Sequence, residues 1–333
     1  MNIPIDRRAA WLPVLVLALA VLAVWALTVG SSHIAFGRVV EALWNPGDAR
    51  EDLVIWTVRM PRVVAAIAIG AALATAGAIM QAVTGNPLAE PGLLGINAGA
   101  AFAVVVTIVM FDNVAVYGLV WAAFLGAGLA AVIVYVLGSA GRAGATPVRL
   151  ILAGVVVSTF LGSITAAILT LDAQTLDAVR LWTAGSLRGR TLSDIVPVLP
   201  YVGLALAAAM LTRSQYTALS LGSSVAQSLG QNQAVWRGIA ALIVVGLAGG
   251  SVAIAGPAGF VGLVVPHLAR LSVGVDYRWI LPFSAIGGAL LTIIADTVPR
   301  ALLGLDVPIG VTLALVGAPY FIWLVRRRRG QPA

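Results

Sequence analysis

VVAAIAIGAALATAGAIMQAVTGNPLA, residues 63–89, lies between Arg62 and Glu90 and carries no charge over its 27 residues. A hydrocarbon core roughly 30 Å thick needs ~20 consecutive apolar residues in a helix. No water is available there, so a spanning segment of this kind closes its own backbone hydrogen bonds as an α-helix. The pattern continues along the chain. Charge-free intervals separate Glu90 from Asp112, Asp112 from Arg142, Arg149 from Asp172, Asp194 from Arg213, Arg237 from Arg270, Arg278 from Asp296 and Asp306 from Arg326. Of the 333 residues, 60% are hydrophobic and 10% charged, against about 45–50% and about 25% in a soluble domain. A water-soluble globule is excluded. The fold class is all-α, a polytopic membrane protein with a single transmembrane domain over residues 1–333.

Helices are expected near 11–30, 61–84, 92–111, 115–139, 149–171, 193–212, 236–255, 258–272, 279–297 and 307–325. The eighth lies between Pro257 and Pro266, so it is expected to be irregular or only partly spanning. Ten spans leave both termini on one side. That side collects Arg7, Arg8, Arg142, Arg149, Arg213, Arg237, Arg270, Arg278 and Arg326 to Arg329, against only Asp6, Glu90 and Asp276. The other side holds eight arginines and ten acids. The positive-inside rule makes the arginine-rich side cytoplasmic, and both termini with it. The first apolar stretch is about twice the 7–15 residues of a signal-peptide core and has no convincing small-residue cleavage site. It reads as an uncleaved span.

The chain has no cysteine, which excludes disulfides and thiolate metal sites. It also has no lysine, all 20 basic residues being arginine. The phosphate-binding G-x-x-x-x-G-K-[ST] loop needs its lysine, so if ATP drives this protein another chain hydrolyses it. The net charge of +7 comes from arginines beside apolar runs, as in membrane anchors rather than a nucleic-acid patch. His33 and His267 stand far apart in sequence, so neither a catalytic cluster nor a metal site is expected.

Three stretches depart from generic membrane helix. Arg59 and Arg62 flank Met60-Pro61 at the start of the second span, and Gly85-Asn86-Pro87-Leu88-Ala89-Glu90-Pro91-Gly92 follows its end. The arginines read either as interfacial anchors or as a functional pair; the two prolines stop a helix and set a fixed re-entry. The loop 213–237 carries Leu219-Ser220-Leu221-Gly222 and Ala226-Gln227-Ser228-Leu229-Gly230. It is expected to hold two short helices parting near Gly222, as a docking surface for a soluble partner or as a plain connector. AGPAGFVGLVVPHLAR, residues 255–270, has the density of glycine and proline that breaks a helix inside a membrane. Such breaks are tolerated only against protein or a water-filled path.

These motifs together resemble the FecCD family of ABC importer permeases: Arg-x-Pro-Arg at 59–62, QAVTGNPLAEPGLLG at 81–95, the LSLG and SLG loop, AGPAGFVGLVVPHLAR, and Gly317-Ala318-Pro319. GINAGAAFAVV, PVRLILAGV, LWTAGSL and LSLGS are most similar to its ferric-siderophore branch. The resemblance implies a transport subunit of a bacterial inner membrane, not an enzyme, that moves a ferric siderophore into the cytoplasm. It implies a second permease subunit, identical or related, a cytoplasmic ATPase dimer that holds Mg-ATP, and a periplasmic or lipid-anchored binding protein. No cofactor is implied on this chain. Arg59, Arg62 and Arg300 match arginines that pair with glutamates of the binding protein, with Asp296 placed one turn away to hold Arg300. Leu219, Leu221, Gly222, Ala226, Leu229 and Gly230 match the ATPase-coupling helices. Asn86 and Leu88 match a cytoplasmic gate, with Thr146 and Pro147 as its other element. Pro147 departs from the family pattern, so no single gate side chain follows from it. Gln81, Asn97 and Ser158 are read as interhelical hydrogen bonds or as polar lining of the path.

Haem or cobalamin is the alternative cargo, since the shorter motifs are shared with those branches. An ion-coupled secondary transporter needs a coupling carboxylate near the bilayer midplane. Glu90 at a span end and Asp296 beside Arg300 do not fit that role.

Overall fold

The computed structural model describes residues 5–30, 32–111, 114–140, 146–228 and 230–329. All regular secondary structure among them is helical. Helix α1 (Ile5–Thr28) leads to the short α2 (Phe36–Trp44) and α3 (Arg50–Val54). A π-helical turn, Ile55–Arg59, carries α3 directly into α4 (Met60–Thr84). A 3₁₀ turn, Pro91–Leu94, precedes α5 (Ile96–Met110). Then come α6 (Val116–Ser139), α7 (Pro147–Leu171), α8 (Ala173–Thr183), α9 (Leu192–Ile195) and α10 (Leu199–Leu211). The pair α11 (Arg213–Ser220) and α12 (Ser223–Ser228) precedes α13 (Gln233–Ala255), α14 (Val261–Val273), α15 (Tyr277–Leu303) and α16 (Ile309–Arg329).

Six of these helical stretches are long and apolar enough to cross a membrane: α1, the continuous α3–α4 rod, α6, α7, α13 and α15. Four apolar helices are shorter: α5, α10, α14 and α16. These helices follow, in order, the helical stretches expected from the sequence.

Their boundaries differ where a local rule intervenes. The stretch expected as one helix over 193–212 is α9, a break, and α10, because Pro197 in the break has no N–H to donate. Thr191 opens α9 in a capping box, its backbone N–H donating to Asp194 Oδ2 at 3.0 Å. The eighth stretch starts only at Val261, because Phe260 adopts φ 68°. Short α2 and α8 lie between the apolar stretches and give no span-length signal. Asp172 starts α8 by accepting the N–H of Gln174 at 3.0 Å and the Thr175 hydroxyl at 2.6 Å.

Helix α4 is the core of the bundle, with most of its length buried, while α1 and α7 lie at the periphery. Apolar lipid cannot drive helices together, so close backbone approach and hydrogen bonds must. Ala66 and Gly70 of α4 face Gly288 and Thr292 of α15. A Cβ on Gly70 would lie 2.2 Å from the Gly288 carbonyl oxygen, and Thr292 Oγ1 donates to Ala66 O at 2.6 Å. Gly77 of α4 meets Gly262 of α14 as closely, its absent Cβ falling 1.9 Å from Gly262 O.

Candidate functional site

The candidate side chains gather at three levels of the bundle. At the end where α4 starts and α15 finishes, Asp296 sits between two arginines. Its Oδ1 accepts from Arg62 Nε at 3.1 Å and Nη2 at 2.9 Å, and its Oδ2 accepts from Arg300 Nη2 at 2.5 Å. Arg62 Nη2 also reaches Asp306 Oδ1 at 2.5 Å, and Arg188 Nε lies 3.7 Å from Asp306 Oδ2. Arg59 donates to Leu27 O at 2.6 Å and to Ser32 O. The structure therefore brings Arg59, Arg62 and Arg300 to one end of the bundle. They do not stand free on its rim: Arg59 is 3% exposed and Arg62 8%. Arg62, Arg188 and Arg300 face two carboxylates, while Arg59 beside them is held by backbone carbonyls. Asp296 holds Arg300 through the one-turn spacing read from sequence. Asp306 was missed, because nothing local to it points to a partner more than 200 residues away.

At mid-bundle, α13 ends at Ala255, and the chain runs irregularly to Phe260 before α14 begins. Gly256, with φ 77°, turns the chain where a Cβ would strike Trp182 O at 2.1 Å. The Phe260 N–H, at the N-terminus of α14, donates to Glu90 Oε1 at 3.1 Å. Glu90 thus closes a helix end where the helix dipole favours a carboxylate. Pro266 lies inside α14 and has no N–H, so Gly262 O, four residues earlier, loses its helical donor. Gln81 Nε2 takes that place at 3.3 Å, while Gln81 Oε1 accepts from Arg270 Nη2 at 3.2 Å. Gln81 is 2% exposed, which makes it an interhelical hydrogen bond. His267 is also buried, its ring 6.3 Å edge-on from that of Tyr320. Asn97 and Ser158 are half-buried beside the turn between Gly92 and Gly95.

At the opposite end, α11 and α12 turn at Gly222, φ 101°. Leu219 and Ala226 are buried, while Leu221 is exposed. Gly230, φ 76°, leads back towards α13; Leu229 lies outside the described residues. The Tyr277 N–H donates to Thr217 Oγ1 at 3.1 Å, and Arg270 Nη2 donates to the Tyr277 hydroxyl at 3.0 Å. A continuous line of polar contacts thus runs from α11 through Tyr277 and Arg270 to Gln81 and Gly262. Nearby, Asn86 Oδ1 accepts the Leu88 N–H at 3.0 Å and fixes the turn after α4. Thr146 precedes α7, with its carbonyl accepting from Leu150 N at 3.0 Å. Pro147 is the first residue of that helix, where a missing N–H costs nothing. Among the described residues, no hydrogen bond joins the Asn86–Leu88 turn to Thr146. No group of three or more His, Asp or Glu among the described residues is arranged to hold a metal ion.

Residues 17–327 match the FecCD transport family. The chain belongs to that family. Its members are ABC permease transport subunits, which are not enzymes themselves. The chain is 42% identical over 299 residues to a probable siderophore transport system permease of Bacillus subtilis (strain 168), covering 90% of each chain. It is 39% identical over 321 residues to the ferric enterobactin transport system permease of Escherichia coli (strain K12), covering 96% of each. Among solved structures, an inward-facing metal-chelate type ABC transporter superposes with a TM-score of 0.84 at 27% identity, over 96% of this chain and 99% of the other. Family and helices together make this a multi-pass membrane protein.

Proposed function

We propose that this chain is the permease subunit of an ATP-driven importer that carries ferric siderophores across the bacterial inner membrane into the cytoplasm. Near full-length likeness to permeases of siderophore systems carries the reading. All ten apolar helices cross the bilayer in this reading, with both termini and the α11–α12 hairpin cytoplasmic.

The binding protein docks over Arg59, Arg62 and Arg300. Four guanidiniums, those three and Arg188, against Asp296 and Asp306 leave two positive charges in excess, which carboxylates of a partner offset through forked pairs. ATP and Mg²⁺ bind the partner ATPase dimer, which grips the hairpin at Leu219, Leu221, Gly222, Ala226, Leu229 and Gly230. Its closure moves α11, and the Thr217–Tyr277–Arg270–Gln81 line passes that motion to α14 and α4. Asn86 and Leu88 with Thr146 and Pro147 form the inner gate. A second permease subunit completes the path, and no bond is made or broken on this chain.

The test is uptake of iron-radiolabelled siderophore in cells lacking the gene for this chain. Restoration by the intact gene, and its loss when Leu221 on the hairpin is changed to Glu at normal membrane abundance, are the expected results. Restored haem uptake without siderophore uptake would replace the cargo; unchanged siderophore uptake without the gene would overturn the reading.

A further inference from the structure

A cavity of about 420 Å³ opens between α4, α6 and α13, towards the α11–α12 end of the bundle. Its walls are apolar except for Thr84, Tyr135 and Arg237. The Thr84 hydroxyl is already committed to Met80 O at 2.7 Å. Val132 and Leu242, on α6 and α13, are 57% and 73% exposed, so the lateral opening faces whatever surrounds the bundle. For a multi-pass membrane protein that is hydrocarbon. Arg237 lies in the second turn of α13, near the end of the span, where a long cationic side chain reaches the interface.

We infer that this cavity is a binding site for one anionic phospholipid of the adjoining leaflet, which is the cytoplasmic one in the orientation proposed above. One acyl chain enters between Val132 and Leu242 and gains free energy for each CH₂ removed from water when lipid is taken from an aqueous phase. Within the bilayer that gain vanishes, so selection rests on the headgroup. The lipid phosphodiester meets the Arg237 guanidinium, whose planar fork matches phosphate oxygens, with Tyr135 as an amphipathic neighbour at the same level. Among the described residues lining the cavity, Arg237 is the one charged side chain. Basic pockets between spans on the cytoplasmic side have this selectivity in general. The cavity also touches Leu94 and Leu150, beside the turns after α4 and before α7, so a resident lipid braces those turns.

The test uses the full chain in nanodiscs of phosphatidylcholine with a minor fraction of phosphatidylglycerol, with retained lipid counted by native mass spectrometry. The intact chain is expected to keep one phosphatidylglycerol in preference to phosphatidylcholine. Arg237→Gln is expected to reduce that preference about fivefold, the equivalent of one near-surface arginine. Gly128→Leu grows a side chain into the cavity, because an added Cβ there meets only Val245 Cγ1 at 3.8 Å; it is expected to abolish retention. If that variant does not fold, the charge variant decides alone. Equal retention of both lipids by the intact chain, or an unchanged preference in Arg237→Gln, overturns the site. The chain has no cysteine of its own, so Leu242→Cys serves as a single-cysteine reporter. A disulfide between two copies through it would assign the groove to a second permease and also overturn the inference.

Discussion

Arg62 and Asp296 stand 234 residues apart in sequence and meet at 2.9 Å, with both side chains at most 10% exposed. A buried pair of this kind adds little net stability over an apolar pair, yet losing one partner leaves an uncompensated charge. Asp296 serves two arginines, so its removal takes the carboxylate from Arg300 and leaves Arg62 with Asp306 alone.

Asp296→Asn is therefore expected to destabilise the protein by about 3–5 kcal/mol. Thermal unfolding in detergent should show it as a large drop in the midpoint. Asp306→Asn, with a side chain 34% exposed, should cost under about 1 kcal/mol. Equal effects of the two changes would mean that Asp296 is not the centre of the network.

Gln81→Leu removes the donor to Gly262 O and the acceptor for Arg270. Leaving a buried carbonyl unsatisfied costs about 1–3 kcal/mol, and the same unfolding assay should register it. Gly77→Ala should be at least as severe, since its methyl has no room against Gly262 O and would force α4 from α14. Wild-type stability in Gly77→Ala would disprove that close approach.

Glu90→Gln keeps an oxygen acceptor for the Phe260 N–H, so α14 should retain its N-terminal anchor. Glu90→Ala does not, and should cost about 1–3 kcal/mol. Hydrogen exchange at the start of α14 separates the two: faster in the alanine variant, little changed in the glutamine one.

The hairpin variants should alter coupling and leave the fold alone. Leu221→Glu is a change at an exposed position, so stability should stay within about 0.5 kcal/mol. ATP hydrolysis by the assembled complex should then no longer respond to loaded binding protein. Thr217→Val cuts the link to Tyr277 N and should leave more ATP hydrolysed per siderophore moved. Measured coupling ratios equal to wild type would exclude the Thr217–Tyr277 line as the transmission route.

Asp172 at the start of α8 is held below the usual carboxylate range, first by the Thr175 hydroxyl and then by the Thr175 N–H. A depressed folded-state value means the cap contributes above the unfolded value and is lost as pH falls through the folded one. Exchange protection in α8 should therefore fall in acid below the ordinary aspartate range. Asp172→Ala should show weak protection at every pH.

The apolar stretches were legible because length and charge are local properties: a run such as 63–89 declares its helix without knowledge of its neighbours. The break around Gly256 and Pro257 was legible for the same reason, as was Asp296 one turn from Arg300. What could not be read were contacts that only packing creates. Arg59 and Arg62 read as interfacial anchors or as a functional pair, and nothing local to them showed that Leu27 O of α1 and Asp296 of α15 would hold them. Glu90 looked like a residue at a span end, but its turn reaches back to Phe260, 170 residues on. Gln81 stood among the polar candidates, and Pro266 was noted as a breaker. That one satisfies the carbonyl the other leaves free becomes visible only when α4 and α14 lie side by side.

ATP-driven import of a ferric siderophore through this permease can be followed in proteoliposomes filled with ATP and Mg²⁺ that hold this chain, its partner permease and the ATPase, with binding protein outside. Accumulation of radiolabelled ferric siderophore that requires ATP hydrolysis, and that is lost with Leu221→Glu, is the predicted result. Accumulation driven by a proton or sodium gradient without ATP would make the protein an ion-coupled transporter instead.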